Sequence, residues 1–141
     1  EMHKGDQASL FTKFRYGDKV TLFKGSDEIL RDFIHVSDVC KIIMELMNVP
    51  KSGIYDVGTS NPRSFLDVAN VIINSKDYEP TEIEWVDFPM TLVGRYQDYT
   101  RAYNAKLIKD IGPFTFRTLE QGDRKEDYQC SVGHSIRIEL D

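Results

Sequence analysis

The sequence Arg31-Asp32-Phe33-Ile34-His35-Val36-Ser37-Asp38-Val39 carries the strongest structural signal in the chain. Its first half, residues 31–36, has the apolar centre Phe33-Ile34 and predicts a strand. Ser37 is a residue type that commonly caps a helix. Apolar residues then follow at helical spacing, and this stripe consists of Val36, Val39, Cys40, Ile43 and Met47. The segment therefore predicts a strand that leads directly into an amphipathic helix. Cys40 lies on the apolar stripe of this helix and is expected in the hydrophobic core of the protein.

Helix and strand patterns alternate on both sides of this segment. On the N-terminal side we predict a helix over residues 7–16, a strand over residues 20–23 and a turn at residues 24–26. On the C-terminal side the predicted strands cover residues 54–57, 82–86 and 134–140, the last as an edge strand. Three further helices are expected to begin at the capping residues Ser64, Thr100 and Thr118. The predicted class is α/β, without the central parallel sheet of a doubly wound domain.

Composition and charge exclude several classes of protein. The chain has 141 residues, 40% of them hydrophobic and 29% charged, which suits one globular domain. Its formal net charge of −5 argues against a nucleic-acid binder, and no apolar run is long enough to cross a membrane. Two cysteines 90 residues apart predict neither a disulfide framework nor a metal knuckle, so no metal site is expected.

The motifs of phosphate loops, metalloproteases and serine hydrolases are absent, so the sequence contains no complete catalytic set. Four cations nevertheless stand beside small or aromatic residues at the ends of predicted elements: Lys4, Lys24, Arg31 and Arg95. Each alone is a typical solvated surface charge. Together they favour a local anion site, because loops that end elements commonly supply such sites.

Several of these segments also resemble one family. The strings His3-Lys4-Gly5, Phe23-Lys24-Gly25-Ser26, Arg31-to-Val39 and Leu92-Val93-Gly94-Arg95-Tyr96-Gln97 resemble the extended short-chain dehydrogenase/reductases, and within them the ADP-heptose 6-epimerases. The resemblance covers about residues 1–128, interpreted as the C-terminal substrate-binding portion. Residues 129–141 form an unmatched C-terminal tail.

The resemblance implies an NADP-dependent epimerase that oxidises and re-reduces the heptose C6 centre of an ADP-heptose for lipopolysaccharide synthesis. It implies Lys4 as acid/base catalyst and cofactor contact. The residues implied to bind substrate are Asp6, Lys13, Phe23, Lys24, Gly25, Ser26, Arg31 and Tyr96. It further implies a cytoplasmic homo-oligomer whose partner is a nucleotide sugar.

The nucleotide-binding Rossmann half of such an enzyme would precede Glu1, and the chain opens on a polar loop without a normal start. We therefore expect a portion of a longer enzyme that is inactive alone. Two alternatives stay open: a non-catalytic nucleotide-sugar-binding or subunit-contact module, and a related 4,6-dehydratase or epimerase that acts on another nucleotide sugar.

Overall fold

The computed structural model describes residues 20–74, 82–122, 132–134 and 136–140. The helix predicted over residues 7–16 lies outside them, as do Lys4, Asp6 and Lys13. The strands are β1 (Val20–Phe23), β2 (Leu30–Arg31), β3 (Phe33–His35), β4 (Gly53–Val57), β5 (Arg63–Ser64), β6 (Ile83–Val86), β7 (Val132–His134) and β8 (Ile136–Leu140). The helices are α1 (Val36–Leu46), α2 (Phe65–Ile73) and α3 (Ala105–Ile111).

The strands form four separate pairs. β1 and β6 run parallel, whereas β2–β5, β3–β7 and β4–β8 are antiparallel. Within the described part of the chain no larger sheet forms, which confirms the expected mixed α/β class without a doubly wound sheet. The predicted strand near residue 140 is confirmed as β8.

Two hydrophobic cores meet at β3. Successive side chains of a strand point to opposite faces, so Phe33 and Ile34 enter different clusters. The first core consists of Leu22, Ile29, Phe33, Phe65, Val68, Ala69 and Ile72. The second consists of Ile34, Ile42, Leu46, Tyr55, Val57 and Leu107. The short strand therefore joins the two halves of the molecule.

The carboxylate of Asp32, which is fully buried, connects three distant segments. Its Oδ1 accepts from the Thr59 amide at 2.8 Å and from the Thr59 hydroxyl. Its Oδ2 accepts from the amides of Ser60 at 3.0 Å and Ala102 at 2.9 Å. These bonds fix the loop after β4 and the approach to α3 against the junction of β2 and β3.

Helix α1 departs from the predicted pattern in its cap and in its buried face. His35 is the N-cap, because its Nδ1 accepts the Ser37 amide at 3.2 Å, so the predicted cap at Ser37 was wrong. Cys40 is exposed and Met47 is 77% exposed, so both were wrongly assigned to the core. The helix instead buries the face that carries Ile42 and Leu46, since that face meets Tyr55 and Val57 of the second core.

Helix α2 follows the prediction, whereas the beginning of α3 does not. Ser64 caps α2 in a reciprocal capping box with Asp67, and the helix buries Phe65, Val68, Ala69 and Ile72. The predicted cap of α3 at Thr100 was wrong, because its hydroxyl accepts the Asp32 amide at 3.2 Å and α3 begins only at Ala105. Thr118 and Gln121 make the reciprocal bonds of a capping box, within a turn that the structure describes to Gly122.

Substituting Asp32 tests its role as the connecting carboxylate. We expect Asp32→Asn to lower the free energy of unfolding by about 3 kcal/mol, because an amide cannot accept all four hydrogen bonds. The exposed Asp27 provides a matched control, and Asp27→Asn should change that free energy by less than about 0.5 kcal/mol. Urea denaturation of the three proteins measures both values, and equal stabilities would contradict the role of Asp32.

The attachment of α3 to β4 should depend on pH through Asp110. Hydrogen bonds from Lys51 at 2.7 Å and Tyr55 at 3.0 Å hold the pKa of this carboxyl below its ordinary value. Because that pKa is lower in the folded than in the unfolded chain, its stabilisation is present above the unfolded-state pKa and is lost as the pH falls through the folded-state value. Denaturation between pH 7 and pH 3 should therefore be less pH-dependent in Asp110→Asn. Tyr55→Phe, which removes one of the two donors, should be intermediate, and identical pH profiles would refute this link.

Candidate functional site

The parallel pairing of β1 with β6 builds one wall of the candidate site. Phe23 is in register with Val86, and the Lys24 amide donates to the Val86 carbonyl at 2.9 Å. The turn after β1 therefore lies beside the residues that follow β6. Lys24 Nζ forms an ion pair with Asp87 at 2.7 Å, and this hydrogen bond lowers the pKa of the Asp87 carboxyl.

The turn at residues 23–26 is held by its own backbone and by Ser26. The Ser26 amide donates to the Phe23 carbonyl at 3.0 Å, and its hydroxyl donates to the same oxygen. Gly25 has a φ of +86°, a left-handed conformation that favours glycine, and the space around it is open. The turn thus presents bare backbone at Gly25, while the buried Ser26 side chain stiffens it.

Three aromatic rings and one guanidinium form a continuous row next to this turn. Phe23 and Phe88 meet edge to face with ring centroids 5.4 Å apart, and Phe88 meets Tyr96 in the same way at 5.7 Å. The guanidinium carbon of Arg31 lies 5.2 Å from the centroid of the Tyr96 ring. Such a row offers flat apolar surface beside a positive charge, which suits a ligand that carries both a ring and an anionic group.

Arg31 is buried, with only 5% of its surface exposed, although it carries a full charge. Its Nη1 donates to the Leu30 carbonyl at 3.1 Å. No carboxylate of residues 20–74 or 82–122 forms an ion pair with it. Since buried charges are normally paired, this guanidinium points to an anionic ligand, and the interpretation of Arg31 as a solvated surface charge is wrong.

The structure brings six sequence-predicted residues into this region: Phe23, Lys24, Gly25, Ser26, Arg31 and Tyr96. Arg95 is exposed and precedes Tyr96 directly in the chain. Phe88 was not predicted as a site residue, because an aromatic residue after a strand normally indicates core packing, and Phe88 does pack against the first core as a partly buried side chain. Its position two residues beyond a strand that pairs parallel with β1 is the signal that would have placed it here.

A cavity of about 410 Å³ is lined by residues of β3, of β5 and of the segment 114–120. Residues that line it include Phe33, Thr59, Arg63, Phe116 and Arg117. The amide of Arg117 donates to Asp38 at 2.7 Å, which holds one wall in place. Arg63 forms ion pairs with Asp67 at 3.2 Å and with Glu120 at 3.1 Å. Its charge is therefore compensated within the protein, and it does not indicate an anionic ligand in this cavity.

Two searches of the described residues gave negative results. No group of three metal-ligating side chains lies close enough together to hold an ion. None of the helices that the structure describes is both long and apolar enough to cross a bilayer.

The chain is similar to known nucleotide-sugar enzymes in sequence and in fold. No protein-family model matches the chain. The chain is 40% identical over 112 residues to an ADP-L-glycero-D-manno-heptose-6-epimerase of Brachyspira hyodysenteriae, which covers 76% of this chain and 35% of that protein. This chain therefore spans about a third of the length of the curated relative.

Two solved structures share the fold over 86% of the chain. The first is the ADP-L-glycero-D-manno-heptose-6-epimerase of Helicobacter pylori, with a TM-score of 0.69, 24% identity and 35% of that chain covered. The second is TunA, an NAD-dependent NDP-hexosamine 5,6-dehydratase of tunicamycin biosynthesis, with a TM-score of 0.63, 23% identity and 38% covered. The mixed α/β fold described above is therefore that of known nucleotide-sugar enzymes.

Neutralising Arg31 should have an unusual effect on stability. We expect Arg31→Met to leave the free energy of unfolding unchanged or to raise it by up to about 2 kcal/mol, because this buried charge has no carboxylate partner among the described residues and an unpaired buried charge is costly. Arg63→Met is the matched comparison and should lower stability by about 1 kcal/mol, since it breaks two partly exposed ion pairs. Thermal and urea unfolding without ligand measure both effects. A loss above about 2 kcal/mol in Arg31→Met would show that its charge is matched within the protein.

Proposed function

Because this chain is a relative of ADP-L-glycero-D-manno-heptose-6-epimerase, we propose that it is the substrate-binding portion of a nucleotide-sugar epimerase. The observation that carries the proposal is the buried Arg31 guanidinium, which has no carboxylate partner among the described residues and lies against Tyr96. A nucleotide sugar contains a diphosphate, a base and a sugar. The site matches these groups with a guanidinium for the diphosphate and with aromatic rings for the base or the sugar. The ligand that the resemblance implies is an ADP-heptose.

Each residue of the site has a separate task in this proposal. Arg31 binds the diphosphate through charge-assisted hydrogen bonds. Tyr96 holds the guanidinium plane from one side and, with Phe88 and Phe23, provides ring surface for the sugar or the base. Gly25 lets the ligand approach the backbone of the turn closely, and Lys24 adds a second cation that Asp87 holds in place.

The described residues supply no glycine-rich loop that leads into a helix, the feature that is typical of dinucleotide sites. Helix N-termini bind pyrophosphate through free amides, but His35 caps α1 and Ser64 with Asp67 caps α2, whereas α3, which has no side-chain cap, has only seven residues. We therefore propose that a nicotinamide dinucleotide, NADP by the family resemblance, binds mainly outside this portion, on a Rossmann half. Lys4 remains the proposed acid/base residue, with Asp6 and Lys13 as further substrate contacts. The chain alone is proposed to be inactive and to act within a cytoplasmic homo-oligomer in lipopolysaccharide heptose synthesis.

Calorimetric titration of the purified chain with ADP-glucose tests the site without requiring catalysis. We expect Arg31→Met to weaken binding about 10- to 100-fold, because a charged hydrogen-bond donor to the diphosphate is lost. Arg101→Met removes an equal charge from an exposed position and should change the affinity by less than about twofold.

Three results would contradict the proposal. Equal affinities of Arg31→Met and the native chain would contradict the proposed role of Arg31 in binding the diphosphate. Tighter binding of dTDP-glucose than of ADP-glucose would indicate a related enzyme acting on another nucleotide sugar. Turnover of ADP-heptose by this chain and NADP alone would refute the need for a separate cofactor-binding half.

A further inference from the structure

Strand β8 covers one whole edge of β4. All five residues of β4 pair with β8 in antiparallel register, from Gly53 opposite Leu140 to Val57 opposite Ile136. An unpaired strand edge presents a row of free amide and carbonyl groups that readily pairs with another strand. β8 thus satisfies an edge that lies directly over the second core.

The side chains of β8 match this edge in polarity and in charge. Ile138 and Leu140 are half-buried and pack against the second core, whereas Arg137 and Glu139 are exposed. On the exposed face, Arg137 Nε lies 3.2 Å from Asp56 Oδ1. The register is therefore specified twice, by alternate apolar residues on one face and by an ion pair on the other.

Strand β7 continues the same coverage onto the neighbouring strand. Its residues pair antiparallel with β3, with Val132 opposite His35 and His134 opposite Phe33. β3 ends where α1 begins, and β4 is the next strand along the chain. β7 and β8 are called the arm below. The arm therefore lies along the strand that precedes α1 in the chain and the strand that follows it.

We propose that the edges of β3 and β4 form a strand-binding surface, and that the arm is its displaceable occupant within the same chain. The ligand class is an extended peptide with apolar residues at alternate positions and a cation opposite Asp56. Its main-chain bonds supply affinity and its alternate side chains supply specificity, as in other cases of strand addition. This proposal is independent of the nucleotide-sugar site.

The construction of the second core supports a displaceable arm. Tyr55 and Val57 of β4 are at most 1% exposed, and the fully buried members of this core come from β3, β4, α1 and α3. Of the arm's described side chains, Ile138 and Leu140 pack half-buried against that core, and Arg137 forms an exposed ion pair with Asp56. Because the arm is tethered, its effective concentration at the edge is in the millimolar range. An added peptide should then bind only when the arm is disabled.

The first test uses the full chain and a fluorescent synthetic peptide with the sequence of residues 131–141. In the double variant Ile138→Asp, Leu140→Asp the arm should leave the edge, and fluorescence anisotropy should show peptide binding at least about tenfold tighter than to the native chain. The matched control Glu139→Ser changes an exposed position of the same strand and should behave as the native chain does. Equal binding by all three proteins would overturn the proposal.

A charge exchange tests the register. Asp56→Arg in the double variant should weaken the native peptide about two- to fivefold, and a peptide in which Asp replaces Arg137 should recover that loss. No recovery, or equal binding of a scrambled peptide, would mean that the peptide does not add to β4 in the observed register.

A cross-linking test does not require the double variant to fold. In a Cys40→Ser, Cys130→Ser background, Asp56→Cys with Arg137→Cys places two thiols directly opposite each other. Oxidation should give a disulfide within one chain, whereas the offset pair Asp56→Cys with Glu139→Cys should not close. No disulfide in the first pair, or a disulfide between two copies, would overturn the assignment of the arm to its own chain.

Discussion

The Asp32 carboxylate, fully buried and bound by four donors, is the constraint on which the remaining geometry depends. Two of these donors belong to Thr59, directly after β4, and the Ala102 amide precedes α3. A buried carboxylate is stable only with such a set of donors, because removing one leaves a large desolvation cost uncompensated. The loop that follows β4 is consequently fixed, and Ser60 holds a left-handed φ of 58° between this carboxylate and the Ala102 carbonyl.

Asp32 and Arg31 are neighbouring buried charges whose surroundings differ. Asp32 is satisfied entirely within the fold, whereas the adjacent Arg31 is equally buried and has a backbone carbonyl and an aromatic ring as its neighbours. The first charge organises the structure. The second has no carboxylate partner among the described residues, which is typical of groups that are preorganised to bind a ligand. The backbone next to it is fixed by the hydrogen bonds that Asp32 accepts.

Local sequence patterns predicted most elements but not every face that these elements bury. The capping box at Ser64 and the alternation around residue 138 depend on near neighbours, so both were readable in the sequence. The buried face of α1 depends on where Tyr55 and Val57 lie, and no pattern within the helix contains that information. The same limit explains why the role of Asp32, which connects distant segments of the chain, was not foreseen. For the candidate site, the residues themselves were predicted from the resemblance, whereas their row arrangement through Phe88 required the pairing of β1 with β6.

The adjacency of Phe33 and Ile34 has a consequence for how the molecule opens. Because these consecutive side chains belong to different cores, a distortion of the β3 backbone that withdraws one also rotates the other. Neither half can then loosen through β3 without disturbing its neighbour, so the two cores behave as one cooperative unit. We therefore expect partial opening to begin away from β3, because a distortion of β3 would disturb both cores at once.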